Sequence, residues 1–356
     1  MSKFLKDKYK SLAPYTPGEQ PKDRKFVKLN TNESPFPPSK KAIELARAEA
    51  ERLMLYSDPE CRDLVLKMAE VFDVGNDSVI MTNGSDEVLS FAFMAYCDEK
   101  TPAVFADITY GFYKVFANIN NVPSTVIPLK KDFTIDVEDY IKADGTVFIA
   151  NPNAPTGILL PLSDIERLVR SNPERIVVID EAYIDFGGES AVSLTKKYNN
   201  LLVTGTFSKS RSMAGARLGF GIASPEIIND LTRIRYSTNP YNVNRMTMAA
   251  GIGALCDSEY FEENCKKIIA NRAWTEKELL ALGFEFLSSK ANFIFAKSDR
   301  IDGRSLYLAL KDKGVLVRHF DSPRISDFNR ITIGSIEEMQ ILVDKIKEIL
   351  KENEKR

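Results

Sequence analysis

Short, uniformly apolar runs alternate with longer amphipathic stretches through most of this chain. Residues 79–81, 103–105, 125–127, 146–149, 176–179, 201–203 and 218–223 read as short strands apolar on both faces. Helical spacing fills the intervals around 86–97, 110–120, 136–142 and 163–171. Two further helices precede them, over 39–55 and 60–72, the second with Leu64, Val65, Met68, Ala69 and Phe72 on one face. All-apolar strands separated by helices predict a mainly parallel sheet covered on both faces. Such sheets bind ligands at the carboxyl ends of their strands.

Beyond a long helical stretch over 259–282 the rhythm changes. Short strands at 284–287, 292–295, 315–317 and 331–333 and helices over 303–313 and 335–351 predict a smaller α+β unit. At the other end, Pro14, Pro17, Pro21, Pro35, Pro37 and Pro38 break any regular element. Phe26, Val27 and Leu29 suit an arm laid over a partner surface. The expected organisation is an arm over 1–38, a large domain over 39–258 and a small domain over 259–356.

Bulk composition narrows the function classes. Hydrophobic residues make up 44% and charged residues 28% of 356, ordinary for a globular protein. A net charge of −2 gives no electrostatic footprint for nucleic acid or an anionic membrane. The lysine-rich opening has no apolar signal core, and no apolar run is long enough to span a bilayer, so a cytoplasmic location is expected. Four cysteines without a C-x-x-C pair suit free thiols. With His319 the single histidine, a histidine-rich metal site is excluded and acid–base chemistry must use lysine, carboxylates, tyrosine or a cofactor.

Polar clusters punctuate the predicted strand ends. After 201–203 come Thr206, Ser208, Lys209 and, further on, Arg217: a lysine able to form a Schiff base, hydroxyls able to donate to a phosphate, and a guanidinium able to grip it. A solvated basic loop would look the same in isolation. Asn83-Gly84-Ser85-Asp86 joins a strand to a helix whose N-terminus suits an anion, or is an ordinary capped turn. Tyr110 can stack on a planar ring or pack in the core. The loop Asn151-Pro152-Asn153-Ala154-Pro155-Thr156-Gly157 is rigid and polar. Asp180 ends an apolar strand, where a carboxylate needs a cation, a helix to cap or an arginine. Arg318 and Arg330 adjoin strands of the small unit and suit a carboxylate or phosphate. No G-x-G-x-x-G or P-loop motif is present.

Planar ring, phosphate, aldehyde and protonated ring nitrogen together describe pyridoxal 5′-phosphate. The motif set Asn30-x-Asn32-Glu33, Gly84-Ser85-Asp86-Glu87, Thr109-Tyr110-Gly111, Pro152–Gly157, Asp180-Glu181-Ala182-Tyr183, Ser208-Lys209 and Ala214-Gly215-x-Arg217 resembles the fold-type I PLP-dependent aminotransferases, within them the histidinol-phosphate aminotransferase family. The likeness runs from Leu12 to Gly334. It implies an α/β fold with a mainly parallel seven-stranded sheet and a small α+β C-terminal domain. It also implies that Lys209 is the Schiff-base lysine and proton shuttle, that Asp180 keeps the pyridine nitrogen protonated, and that Tyr183 faces the phenolic oxygen. Tyr110 would stack on the ring. Thr206, Ser208, Arg217 and the backbone at Ser85-Asp86 would bind the phosphate, with Tyr56 supplied by the other subunit of a homodimer. Tyr15, Arg318 and Arg330 would hold the substrate's phosphate or carboxylate. One position departs: the family commonly has a second Asn where this chain has Ala154, so either Asn153 takes over the ring oxygen or Tyr183 holds it without that help. The implied reaction is transamination of L-histidinol phosphate with 2-oxoglutarate. Its alternatives are an aromatic aminotransferase, a threonine-phosphate decarboxylase and a non-catalytic PLP-binding regulator.

Overall fold

The computed structural model describes residues 2–10, 12 and 17–354. Its centre is a seven-stranded sheet in the order Val79–Thr82, Gly219–Ile222, Leu201–Thr206, Val177–Asp180, Thr146–Ala150, Ala103–Ala106, Ser124–Ile127. Gly219–Ile222 runs antiparallel to both its neighbours; every other pairing is parallel. The alternation expected of central strands is visible in the packing. Val177, Ile179, Leu201 and Val203 enter one buried cluster, with Leu64, Met68, Ile165 and Ala250. Val178 and Leu202 enter another, with Phe93, Tyr113, Phe148 and Leu231. Each face is therefore sealed by helices, as runs apolar on both sides require.

Helices Pro225–Thr238 and Arg245–Leu255, which the hydrophobic pattern did not predict, complete this shell. A Cβ on Gly253 would lie 2.6 Å from backbone atoms of Ala42. This glycine therefore lets Arg245–Leu255 pack directly on Lys40–Ala50, where a larger residue would push the helices apart.

A second sheet has the antiparallel order Arg318–His319, Asn329–Thr332, Phe293–Ser298, Phe284–Phe286. Helices Ser258–Ala281 and Ile336–Asn353 bury its apolar side, around Ile294, Ile331, Met339 and Ile346. The strand expected over 315–317 ends at Leu316. Val315–Leu316 pairs in parallel with Val27–Lys28 of the arm, and only Arg318–His319 joins the second sheet. Among the described residues no helix is long and apolar enough to cross a membrane.

Candidate active site

Parallel strands deliver their carboxyl ends, and the antiparallel strand its amino end, to one edge of the large sheet. Loops after Thr82, Ala106, Ala150, Asp180 and Thr206 and the residues before Gly219 meet there in a cleft lined by Ser85, Asp86, Tyr110, Asp180, Tyr183, Thr206, Ser208, Lys209 and Arg217. Nine of the residues expected to hold a cofactor are thus brought together.

The turn into helix Ser85–Tyr96 is built for close approach. Gly84 has φ +82°, and a Cβ there would come within 2.7 Å of Arg217 Nη2. A Cβ on Gly219 would lie 2.3 Å from the backbone of Gly84 and Ser85. The start of this helix, whose first N–H groups have no acceptor one turn back, therefore lies beside Arg217. Arg217, itself at φ 56°, donates from Nη2 to Asp86 Oδ2 at 3.1 Å. Tyr110 donates to the other Asp86 oxygen at 2.7 Å. Opposite, the Thr206 hydroxyl accepts from the Ser208 backbone N–H at 3.1 Å and donates to the Ser208 hydroxyl at 2.9 Å, fixing a buried donor at the cleft wall.

Asp180 is buried at the tip of Val177–Asp180. It accepts from the Tyr113 hydroxyl and from the Ala182 N–H, both at 3.3 Å. Burial, reinforced by the Asp86 charge, pushes its carboxyl up to about 7; the hydrogen bonds and Lys209 oppose this with smaller effect. A carboxylate so placed calls for a cation in the cleft. Its neighbour Glu181 points elsewhere, accepting from Ala191 N–H at 2.6 Å and from the Ser190 hydroxyl. Lys209 Nζ donates to the carbonyl of Thr31 at 3.4 Å and lies 5.8 Å from the centre of the Tyr183 ring. The Tyr183 hydroxyl accepts from Asn32 Nδ2 at 3.0 Å.

A wider cavity of about 460 Å3 opens beside the cleft and shares Tyr110, Ala154, Tyr183 and Lys209 with it. Arg318 and Arg330 line its far wall. They are direct cross-strand partners, so two guanidinium groups share one face of the small sheet. Such a like-charged pair is unfavourable in itself and becomes favourable around a shared anion. Arg330 also donates to the carbonyl of Asn30 at 3.1 Å and lies 5.4 Å from the Phe293 ring, while Arg318 donates to the carbonyl of Pro17 at 3.3 Å.

Two expected site residues, Asn153 and Tyr56, are not among those that line the cleft. Asn153 does not line the cleft: its amide donates to the Ile108 carbonyl and the Thr156 hydroxyl, both at 3.0 Å, and its oxygen accepts from Thr109. Its polar groups are thus engaged by Ile108, Thr109 and Thr156. Tyr56 is 80% exposed and stacks on Tyr241 at 4.5 Å, away from the cleft of its own chain. Tyr15 lies outside the described residues. Conversely, Tyr113 and Asn32 touch Asp180 and Tyr183 without having been singled out. Tyr113 shares the Phe112–Asn120 helix and follows Tyr110 closely, a spacing that could have marked it. Asn32 stood in a quoted motif but had no role.

The chain matches the family model described as aminotransferase class I and II over residues 24–346, and it belongs to that family. Relatives bearing the name histidinol-phosphate aminotransferase include those of Brachyspira hyodysenteriae, 51% identical over 99% of this chain and 100% of its own length, and Clostridium acetobutylicum, 48% identical over 98% and 100%. Among solved structures, histidinol-phosphate aminotransferase from Sinorhizobium meliloti in complex with pyridoxal-5′-phosphate superposes with a TM-score of 0.90 over 99% of both chains at 23% identity, a likeness of fold.

Proposed function

We propose that this protein transfers the amino group of L-histidinol phosphate to 2-oxoglutarate, with pyridoxal 5′-phosphate as cofactor, as a step of histidine biosynthesis. The observation that carries the reading is the buried, cation-seeking Asp180 in a cleft that also presents Lys209 and an anion grip at Arg217. That donor set fits the cofactor group by group: ring nitrogen, aldehyde and phosphate. When bound, the cofactor supplies an electron sink for deprotonation beside the amino group.

The chain's own residues do the rest. Asp180, ionised against a ring N–H, keeps a proton on that nitrogen, with Tyr113 and the Ala182 amide bracing the carboxylate. Lys209 would hold the cofactor's aldehyde, and its amine would take and return the proton at the substrate carbon. Tyr183 would face the cofactor's phenolic oxygen and Tyr110 would cover its ring. Ser208, placed by Thr206, joins Arg217 and the N–H groups at Ser85-Asp86 on the phosphate. On this reading residues 39–258 carry the cofactor, 259–356 supply Arg318 and Arg330, and the arm over 1–38, with Tyr15, covers the substrate. Tyr56 completes the phosphate site of a second copy in a homodimer, which its exposure on a surface patch with Leu53, Met54 and Leu55 supports. The enzyme works in the cytoplasm.

The arginine pair sets specificity, since one face must take a phosphate from one substrate and a carboxylate from the other. A donor panel tests this: kcat/KM for histidinol phosphate, phenylalanine, tyrosine and threonine phosphate, in the wild type and in Arg318→Ala and Arg330→Ala. Histidinol phosphate is expected to lead. Arg330→Ala should cost on the order of 2–5 kcal/mol with every anionic substrate, the range for a desolvated charge pair, and Arg318→Ala should hurt the phosphorylated donor more than glutamate. Preference for phenylalanine or tyrosine in the wild type would overturn the assignment.

A further inference from the structure

Residues 30–32 cross the cleft mouth and tie together parts of the chain that are remote in sequence. Asn32 is 1% exposed and sits at φ 55°, a left-handed conformation that asparagine tolerates better than most residues. Its backbone N–H donates to Thr332 Oγ1 at 2.9 Å. Thr332 Oγ1 donates in turn to Asn32 Oδ1 at 3.0 Å. The Asn32 carbonyl accepts from Asn292 Nδ2 at 3.1 Å. Its remaining polar group, Nδ2, donates to the Tyr183 hydroxyl at 3.0 Å.

Counting protons fixes the direction of this chain. A backbone N–H can only donate, so the Thr332 hydroxyl accepts there and spends its one proton on Asn32 Oδ1. The amide's NH2 must then face Tyr183, where it occupies a lone pair of the hydroxyl oxygen. The Tyr183 proton is left to point elsewhere, and the cleft is the side on which Tyr183 lines the cavity wall. The facing loop presents Ala154 to the cleft, and Asn153 is committed to Ile108 and Thr156. Lys209 is drawn to the adjoining Thr31 carbonyl, so one short segment sets both groups.

Resting on the cofactor reading above, we infer that Asn32 is a positioning residue that acts through Tyr183. By donating to the tyrosine oxygen from behind, it keeps the tyrosine proton aimed at the cofactor's phenolic oxygen. A donor there stabilises the more anionic, deprotonated form of the lysine-bound cofactor and so lowers the pH at which its visible absorption band titrates.

The test is that titration in the purified holoenzyme. Tyr183→Phe should raise the midpoint by about 1 unit or more, roughly tenfold in proton affinity. Asn32→Gly, which suits the left-handed backbone, should raise it by a smaller amount, at least about 0.3 unit, or twofold. The double variant should match Tyr183→Phe alone, because Asn32 has nothing left to act through. An unchanged midpoint in Asn32→Gly, or a shift that persists in the Tyr183→Phe background, overturns the inference and leaves the cofactor reading standing. A wild type without any such band overturns both. Should Asn32→Gly not fold, Asn32→Asp carries the same test: its carboxylate accepts the tyrosine proton, so its rise should exceed the rise that the same change causes in Tyr183→Phe. Equal rises would overturn the inference.

Discussion

Replacing Asp180 by Asn should stabilise the cofactor-free protein while disabling the enzyme. The buried carboxyl is pushed from 3.8 to about 7, chiefly by desolvation and then by Asp86. A difference of about 3 units corresponds to about 4 kcal/mol, at ~1.36 kcal/mol per unit, that the folded state loses by carrying this charge. The sign follows from a folded value above the unfolded one. Below about pH 4 both states are neutral at this group and it costs nothing; the cost grows through the interval up to about 7 and is complete above it. Asparagine is nearly isosteric, and the Tyr113 hydroxyl can rotate to accept from its amide. At ~2.1 cal/mol/K per residue over 356 residues, the unfolding entropy is about 0.75 kcal/mol/K, so the gain reads as about 5 °C in Tm. Thermal unfolding of stripped wild type and Asp180→Asn, near pH 8 and near pH 4.5, measures it. The variant should melt higher near pH 8 and the two should nearly converge near pH 4.5. Adding pyridoxal 5′-phosphate should restore the wild type far more than the variant, and kcat of the variant should fall by orders of magnitude. A variant no more stable than wild type near pH 8, or an equal gap at both pH values, would refute the charge argument, since a packing effect has no such pH dependence.

Other expectations are quickly stated. Borohydride reduction of the yellow holoenzyme should fix the cofactor on the peptide containing Lys209, and recovery on any other peptide would displace that lysine from its role. Gly219→Ala should push the Gly84–Ser85 backbone and weaken cofactor binding at least about fivefold, from an overpacking cost of ~1–3 kcal/mol; equilibrium binding followed by absorbance decides it. Tyr56→Ala should weaken cofactor retention although Tyr56 is outside its own chain's cleft, and mixed dimers pairing it with a Lys209→Ala subunit should recover about half of the wild-type activity per dimer, since one of the two sites is then complete. A fully active monomer in sedimentation-coupled assays would contradict the shared site.

Legibility of the sequence depended on which physical signal each residue carried. Strands buried on both faces announced themselves, because runs such as 176–179 and 201–203 contain nothing but apolar side chains. Two of the residues that line the cleft stood out beside these runs: Asp180 interrupts one abruptly, and Lys209 sits in the polar cluster a few residues past the other. Helix Arg245–Leu255 was not, since its sequence Arg-Met-Thr-Met-Ala-Ala-Gly-Ile-Gly-Ala-Leu has small residues on all sides and two glycines that read as breakers. Those glycines are packing devices: Gly251 lies against Leu218 and Leu64, and Gly253 against Ala42. The end of the strand at Leu316 was hidden because Val317 prolongs the apolar run without pairing in either sheet. Asn32 and Asn153 show the limit most clearly. Both are asparagines in motif loops, and only the geometry of their partners separates the one that touches Tyr183 from the one that braces its own turn.

The bonds between Asn32 and Thr332 span 300 residues, and the arm strand Val27–Lys28 is likewise paired with Val315–Leu316. A ribosome-bound chain that has emerged through Ile222 already owns every strand of the large sheet, whereas the arm must wait for partners made about 90 residues later. At ~5–20 residues per second that delay is several seconds to tens of seconds. During it, Phe26, Val27 and Leu29 have no sheet to join, and the mouth of the cleft lacks the Thr332 anchor. The newborn protein can therefore shape the floor of its cofactor cleft before it can assemble the roof, and premature termination shortly before Val315 would leave a folded core with an untethered, apolar leading end.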